Sequence, residues 1–336
     1  MSTQQVLRET IAETAATEPA PRGKRPAPRG GSVRGRRKSK KSVRMFLCIV
    51  PFMALVFVFS YLPLYGWLFS LYDYQPALGL AGSQFVGLQW FQLMIGSPTQ
   101  IAQIVQVLLN TLAMSFLGIA TSVLPVLFAI FLNEVRAPWF RNLVQTLTTL
   151  PNFISWVLVF MIAFSMFSSS GLVNGVLQDA GLITAPIHFL DSSSHVWLTM
   201  LLWSLWKTLG WGAIIYLAAI TGIDPTLYEQ AKVDGAGRFK IMRHVTVPQL
   251  MPTYVVLLML SVANLLNNGI EQYYVFQNAF NEKYIQVLDL YVYNVGLTGN
   301  NLSLATAIGM LKSVISLILL IVVNVIAKRV RGASII

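Results

Sequence analysis

Six apolar runs, at about residues 45–71, 105–132, 143–167, 196–220, 251–269 and 302–327, leave this chain few folds to choose from. Each is long enough to cross a hydrocarbon core of about 30 Å, which takes about 20 helical residues. Within lipid only helices and closed barrels satisfy every backbone polar group. The expected fold class is therefore all-α, a polytopic membrane protein with six transmembrane helices. Composition agrees, because 55% hydrophobic residues and 11% charged ones over 336 positions do not suit a soluble domain.

Charge then orients the spans. Residues 1–44 hold 12 of the 24 Lys and Arg but 3 of the 13 Asp and Glu, so this arm carries net +9 and the remainder +2. Rich in Pro, Gly and Ala and without apolar periodicity, it reads as a disordered basic cytoplasmic tail. Its cluster from Arg34 to Arg44 abuts the first apolar run, where it meets anionic lipid and marks topology. The high basicity belongs to that tail and is no sign of a nucleic-acid partner. Arg136 and Arg141 follow the second run, a basic stretch follows the fourth, and Lys328, Arg329 and Arg331 follow the sixth. The alternate loops carry one basic residue, Lys283. Both chain ends are thus expected in the cytoplasm, with a domain at 45–330 and a short tail at 331–336.

The basic stretch after the fourth run, residues 224–248, reads DPTLYEQAKVDGAGRFKIMRHVTVP. Asp224 before Pro225 is a helix-start pair, a carboxylate cap with proline at the first helical position. Gly235 and Gly237 fall where a turn or C-cap belongs. A short second helix is expected over 238–244, closed by Pro248. The outcome is a helix–turn–helix plug, spanning 223–248, on the cytoplasmic side.

The spacing in this plug resembles the signature of the membrane subunits of binding-protein-dependent ABC importers, the maltose-type (type I) permeases. Their pattern is Glu-Ala-Ala, three residues, Gly, nine residues, then Ile-x-Leu-Pro; here Glu229-Gln230-Ala231, Gly235 and Val245-Thr246-Val247-Pro248 stand at those offsets. Gln230, Val245 and Val247 depart conservatively. The resemblance implies that Glu229, Ala231, Asp234, Gly235, Ala236 and Pro248 couple this chain to an ATPase. From residue 61 onward, Tyr61-Leu62-Pro63-Leu64-Tyr65-Gly66, Thr149-Leu150-Pro151-Asn152-Phe153-Ile154-Ser155-Trp156, Trp206-Lys207 with Gly210-Trp211, and Gly269-Ile270-Glu271-Gln272 resemble the branch of these permeases that imports oligosaccharides, acidic ones among them. It further implies a second, different permease chain, a cytoplasmic ABC ATPase dimer that uses ATP and Mg, an extracytoplasmic solute-binding protein, and residence in a bacterial plasma membrane.

Nothing in the chain points to catalysis. It has no G-x-x-x-x-G-K-[ST] to cradle ATP phosphates, so it is expected to bind no cofactor itself. Cys48 is the single cysteine, and His188 and His195 around Asp191 lack a metal-ligand spacing. The chemistry-bearing residues are polar ones inside the spans. Lys207 and Lys312 fall near mid-span, where an ammonium facing lipid costs at least about 2.5–3.5 kcal/mol, so each is expected to face the bundle interior or a partner. Lys207 pairing with Glu271 is one option; a structurally held lysine is the other. Two mid-depth cations with no acid at that depth suggest a path for anionic sugars. Asn264 and Asn268 share a helix face, with Asn267 beside them, and these three are path candidates together with Lys207, Glu271 and Lys312. Trp203, Trp206 and Gln272 offer further sugar contacts, whereas Tyr273 and Tyr274 read as interfacial anchors. Small residues Gly210, Gly212, Ala213, Ala218 and Ala219 suit close helix packing, and 171–182 has the period of a short amphipathic helix. A self-sufficient carrier or channel, the alternative, would need a paired intramembrane acid and inverted repeats, and would leave the plug without purpose.

Overall fold

The computed structural model describes residues 40–331; the expected basic tail up to residue 39 and the chain beyond 331 lie outside them. The chain divides after Tyr61 into two compact units. In the first, α1 (Lys40–Val56) contains Pro51 and passes into a π turn, Phe57–Tyr61. Helix α1 thus starts inside the segment expected to be tail. The apolar side chains of the helix and the turn are exposed, Phe52 at 68% and Phe59 at 75%, as suits a helix solvated by lipid.

The second unit opens with a 3-10 stretch, Leu62–Leu71, and a small antiparallel ribbon, β1 (Tyr72–Asp73) and β2 (Gln84–Phe85), with Tyr72 opposite Phe85. Helices α2 (Gly79–Gly82) and α3 (Gln89–Gly96) complete this segment. Ser97 caps α4 (Pro98–Ala120) by accepting from the Gln100 amide, with Pro98 at the first helical position. After a turn at Thr121 and Ser122 the apolar run continues as α5 (Val123–Asn133).

The third span departs from the sequence reading. Residues 143–149 belong to a separate helix, α6 (Pro138–Thr149), and the span proper begins with α7 (Trp156–Phe167). Between them Pro151 is buried in a 3-10 turn, Leu150–Phe153. Proline removes a backbone donor and disfavours helix at the residue before it, so an apolar run that looked continuous is two helices. The expected amphipathic helix is α8 (Leu172–Asp179). It is pinned to its neighbours, because the fully buried Asn174 donates to Ser168 O and Ile187 O and accepts from Ile187 N.

Helix α9 (Val196–Thr221) is the central strut. Ala213 is fully buried against α5 residues Val126, Ala129 and Ile130, Gly212 meets Pro125, and Gly210 meets the backbone of Thr148. Ala218, by contrast, is exposed. Where lipid is as apolar as leucine, close approach at small residues supplies the packing energy. Helices α10 (Pro225–Val233) and α11 (Arg238–Ile241) follow. A π turn, Met242–Thr246, then leads without a break into α12 (Val247–Ala263). Pro248 therefore does not close the plug. It sits in the first turn of α12, where its missing amide is absorbed by the altered ladder of the π turn. The fifth span thus begins at Arg238, not near 251.

Short helices α13 (Glu271–Phe276), α14 (Glu282–Ile285) and α15 (Leu288–Tyr293) fold back onto the bundle before α16 (Leu302–Arg331). Ile285, Val287 and Leu290 are fully buried with Val159, Ala163 and Tyr273 in one core cluster. Tyr273 is thus a core residue at 6% exposure, not an interfacial anchor; Tyr274 is half exposed and meets Tyr293 edge-on at 5.3 Å. Among the described residues, six helical stretches are long and apolar enough to cross a membrane.

Candidate functional site

The plug is built from its caps inward. Asp224 Oδ1 accepts from the Thr226 amide at 2.9 Å. That backbone bond, helped by the Thr226 hydroxyl, holds the Asp224 carboxyl below the usual carboxylate range. A depressed carboxyl stabilises α10 above the unfolded pKa, and the contribution is lost only as pH falls through the folded one; at neutral pH the cap is fully charged. At the other end Ala236 N donates to Ala231 O at 2.9 Å and Gly235 N to Lys232 O at 3.0 Å, with Gly235 at φ +73°. These are the paired bonds of a Schellman cap, which needs a left-handed residue at this position. The signature glycine is thus explained by backbone geometry. The cap leaves Val233 at 88% and Phe239 at 79% exposure on either side of the turn, an apolar tip with nothing covering it.

Behind the tip, a cavity of 770 Å³ is lined by Glu134, Arg136, Tyr228, Glu229, Lys232, Ala236 and Arg238, among others. Arg238 closes one wall, its Nε lying 3.6 Å from Glu134 Oε2 and its Nη2 donating to Glu134 O at 3.3 Å. The pair is solvent-accessible, so Arg238→Gln is expected to cost no more than about 1 kcal/mol. Thermal unfolding in detergent at low and high salt checks this; a large, salt-independent loss would contradict it. Glu229 and Asp234 are exposed, Ala231 is half-buried, and Pro248 lies exposed on α12.

A second site forms where the fifth span stops short. Helix α12 ends at Ala263, six residues before the sequence pattern suggests, and the chain runs irregularly from Asn264 to Ile270. Gly269, at φ +76°, donates its amide to Asp289 Oδ2 at 3.0 Å. The other carboxylate oxygen of Asp289 pairs with Lys312 Nζ. Asn268 Nδ2 donates to Ser115 Oγ at 2.9 Å, and Ser115 Oγ donates to Leu265 O at 2.5 Å. A cavity of 520 Å³ is lined by Asn264, Asn267, Asp289, Lys312, Ser313 and Ser316 together with apolar side chains of α15 and α16. Among the described residues, Asn268 Oδ1 and Ser316 Oγ are buried without a hydrogen-bond partner. Irregular backbone at membrane depth is tolerated where it lines such a cavity.

The structure gathers Asn264, Asn267 and Lys312 around one space, with Asn268 directly behind. Lys207 and Glu271 are elsewhere. No Lys207–Glu271 ion pair forms among the described residues; Lys207 is 7% exposed and donates to the carbonyls of Pro151, Asn152 and Ile154. Glu271 is exposed at the start of α13. The expectation that Lys312 has no acid near it fails, because Asp289 folds back from the segment between α12 and α16. Asp289, Ser313 and Ser316 were not among the expected site residues; an acid flanked by apolar neighbours over 287–292 was the one available hint. Trp203 and Trp206 belong to an aromatic cluster with Phe167 and line a separate apolar groove. Gln272 is spent on Met200 O at 2.7 Å.

Residues 121–332 match the family described as binding-protein-dependent transport system inner membrane component. The chain belongs to that family of ABC importer permeases. It is 39% identical to the polygalacturonan/rhamnogalacturonan transport system permease protein YteP of Bacillus subtilis, over 85% of this chain and 88% of that protein. Identity to protein LplB of the same organism is 35%, over 86% and 90% of the two chains. Among solved structures, a chain of a bacterial ABC transporter involved in the import of the acidic polysaccharide alginate superposes with a TM-score of 0.77 at 30% identity, covering 87% of this chain and 97% of that one. The alginate transporter in complex with its alginate pentasaccharide-bound periplasmic protein gives 0.78 at 29% identity, over 88% and 97%. The chain is thus a multi-pass membrane transport component with the all-α fold of an importer permease.

Proposed function

We propose that this permease forms half of the translocation path of an ATP-driven importer of oligosaccharides, acidic ones included, and is driven through α10 and α11. The observation that carries the sugar reading is the cavity at the interrupted fifth span. It offers amides, hydroxyls and an ammonium against apolar walls, the mixture that sugar recognition needs. The names of the related permease and of the alginate transporter support the same class. The exposed tip at Val233 and Phe239 suits the cleft of a cytoplasmic ATPase. With the basic loops facing inward, the tip, the 770 Å³ cavity and both chain ends lie on the side where ATP and Mg are available. A different second permease completes the path, an ATPase dimer supplies the energy, and an extracytoplasmic solute-binding protein delivers the solute. ATP favours one global arrangement of the helices over the other by its differential affinity.

The charge reading rests on Lys312 alone, since Lys207 is spent on backbone. In the resting site Asp289 neutralises Lys312; an arriving uronate competes for the ammonium. Lys312→Met leaves Asp289 a partly buried carboxylate without its cation, though it still accepts from the Gly269 amide. Uptake of galacturonate oligomers is expected to fall more than tenfold and uptake of neutral oligomers by less. Adding Asp289→Asn is expected to restore the neutral substrates preferentially. Equal losses and equal recoveries for both would remove the acidic-sugar reading.

A further inference from the structure

Lys207 is the one buried cation of α9, and neither the sugar cavity nor the plug uses it. Its surroundings are specific. Three backbone carbonyls of the break between α6 and α7 converge on Lys207 Nζ; one of them, Pro151 O, also accepts from Ile154 N at 3.2 Å. Pro151 O lies at 3.1 Å, Asn152 O at 2.9 Å and Ile154 O at 2.5 Å. An ammonium has three N–H groups, so the donors and acceptors match one to one. Trp156 presents its ring 5.4 Å from the nitrogen and covers a further side, where the negative face of the ring attracts a cation. No carboxylate lies within ion-pair distance of this ammonium among the described residues, although Glu271 acts on it from farther away; carbonyl dipoles and one ring are its direct neighbours. This is the arrangement in which unwound membrane backbone binds a monovalent cation, except that the cation is tethered to a neighbouring helix.

The tether joins α9 to the α6–α7 break. One turn along α9, Gly210 lies so near the end of α6 that an added Cβ would stand 2.3 Å from Thr148 O. Trp211 meets Phe153 of the break edge-on at 5.7 Å. Towards its other end α9 continues through Gly222, Ile223 and Asp224 into α10, about 20 Å from Lys207 at the helical rise. A displacement of the plug therefore reaches the break along one rigid helix.

We infer that Lys207 is a positioning residue whose ammonium occupies a three-carbonyl cation site at the α6–α7 break and so makes that break follow the helix that carries the plug. This rests on the reading of α10 and α11 as the driven element. Two consequences separate it from ordinary packing. The ammonium is replaceable by a free one of the same shape, and its loss uncouples the break before it unfolds the bundle.

The test uses the assembled importer in proteoliposomes with its solute-binding protein, reading uptake per ATP hydrolysed. Lys207→Ala is expected to lower that ratio at least tenfold, and propylammonium, which matches the deleted atoms, to recover at least fivefold of it. Tetramethylammonium, which has no N–H, is expected to recover none, and wild type to respond to neither. Should Lys207→Ala fail to assemble, Lys207→Gln keeps two donors without the charge and is expected to assemble with a ratio reduced at least fivefold. A wild-type ratio in Lys207→Gln overturns the inference, as does a lowered Lys207→Ala ratio that propylammonium leaves unchanged or that both amines raise alike. Gly235→Pro in the same assay is the separate control on the driven element: full coupling in that variant overturns the plug reading itself and leaves the amine-rescue result to stand or fall on its own.

Discussion

Gly235→Pro is expected to abolish ATP-driven uptake while the protein still inserts at wild-type amounts. At φ +73° this residue lies where proline, fixed near −65°, cannot go, and the substitution also deletes the amide that donates to Lys232 O. The Schellman cap is lost, the angle between α10 and α11 is no longer set, and the tip formed by Val233 and Phe239 comes apart. Gly235→Ala separates backbone from bulk. An added Cβ meets nothing within 4 Å, so its effect is the left-handed cost of about 1–2 kcal/mol, and uptake is expected to fall only several-fold. Solute accumulation in cells, normalised to membrane-inserted protein by immunoblot, checks both. Normal uptake by the proline variant would remove the plug from the mechanism.

Gly210→Ala is expected to be the most destabilising alanine substitution among the described glycines. Its Cβ would lie 2.3 Å from Thr148 O and 2.7 Å from Thr149 N, both backbone atoms that cannot swing aside as a side chain can. Either α6 leaves α9 or the chain does not fold, at a cost of at least about 3 kcal/mol, the upper end for overpacking. Gly212→Ala, two residues on, meets Pro125 Cγ at 3.4 Å, and Gly118→Ala meets nothing within 4 Å. Both are expected to give a wild-type yield of monodisperse protein, and Gly210→Ala less than a tenth of it. A monodisperse, thermally normal Gly210→Ala variant would show that the α6–α9 contact is dispensable.

Those two glycines also show what a sequence reveals and what it hides. Gly235 was legible because punctuation is local: an acid–proline start, a glycine stop and a fixed offset between them. The six spans were legible for the same reason, since apolar length is a property of consecutive residues. Gly210 was readable only as a small residue, because its neighbour is 62 positions earlier in the chain. Span boundaries failed where apolarity and helicity diverge. Pro151 splits an apolar run into α6 and α7, whereas Pro248 was taken for a stop and lies in the first turn of α12, inside a span that started ten residues earlier at Arg238. Lys207 and Lys312 stood out as costly cations, but their partners did not. Carbonyls occur at every residue, and Asp289 looked like any acid in an outer segment until the fold brought it to Lys312.

The measurement that tests the account most directly is a photo-crosslinker at Val233, the most exposed apolar residue of the tip, in cells that accumulate the solute. An adduct with a cytoplasmic ATPase subunit is expected, and it is expected to be lost in Gly235→Pro. Full solute accumulation with no ATPase adduct from Val233 or Phe239 would contradict it.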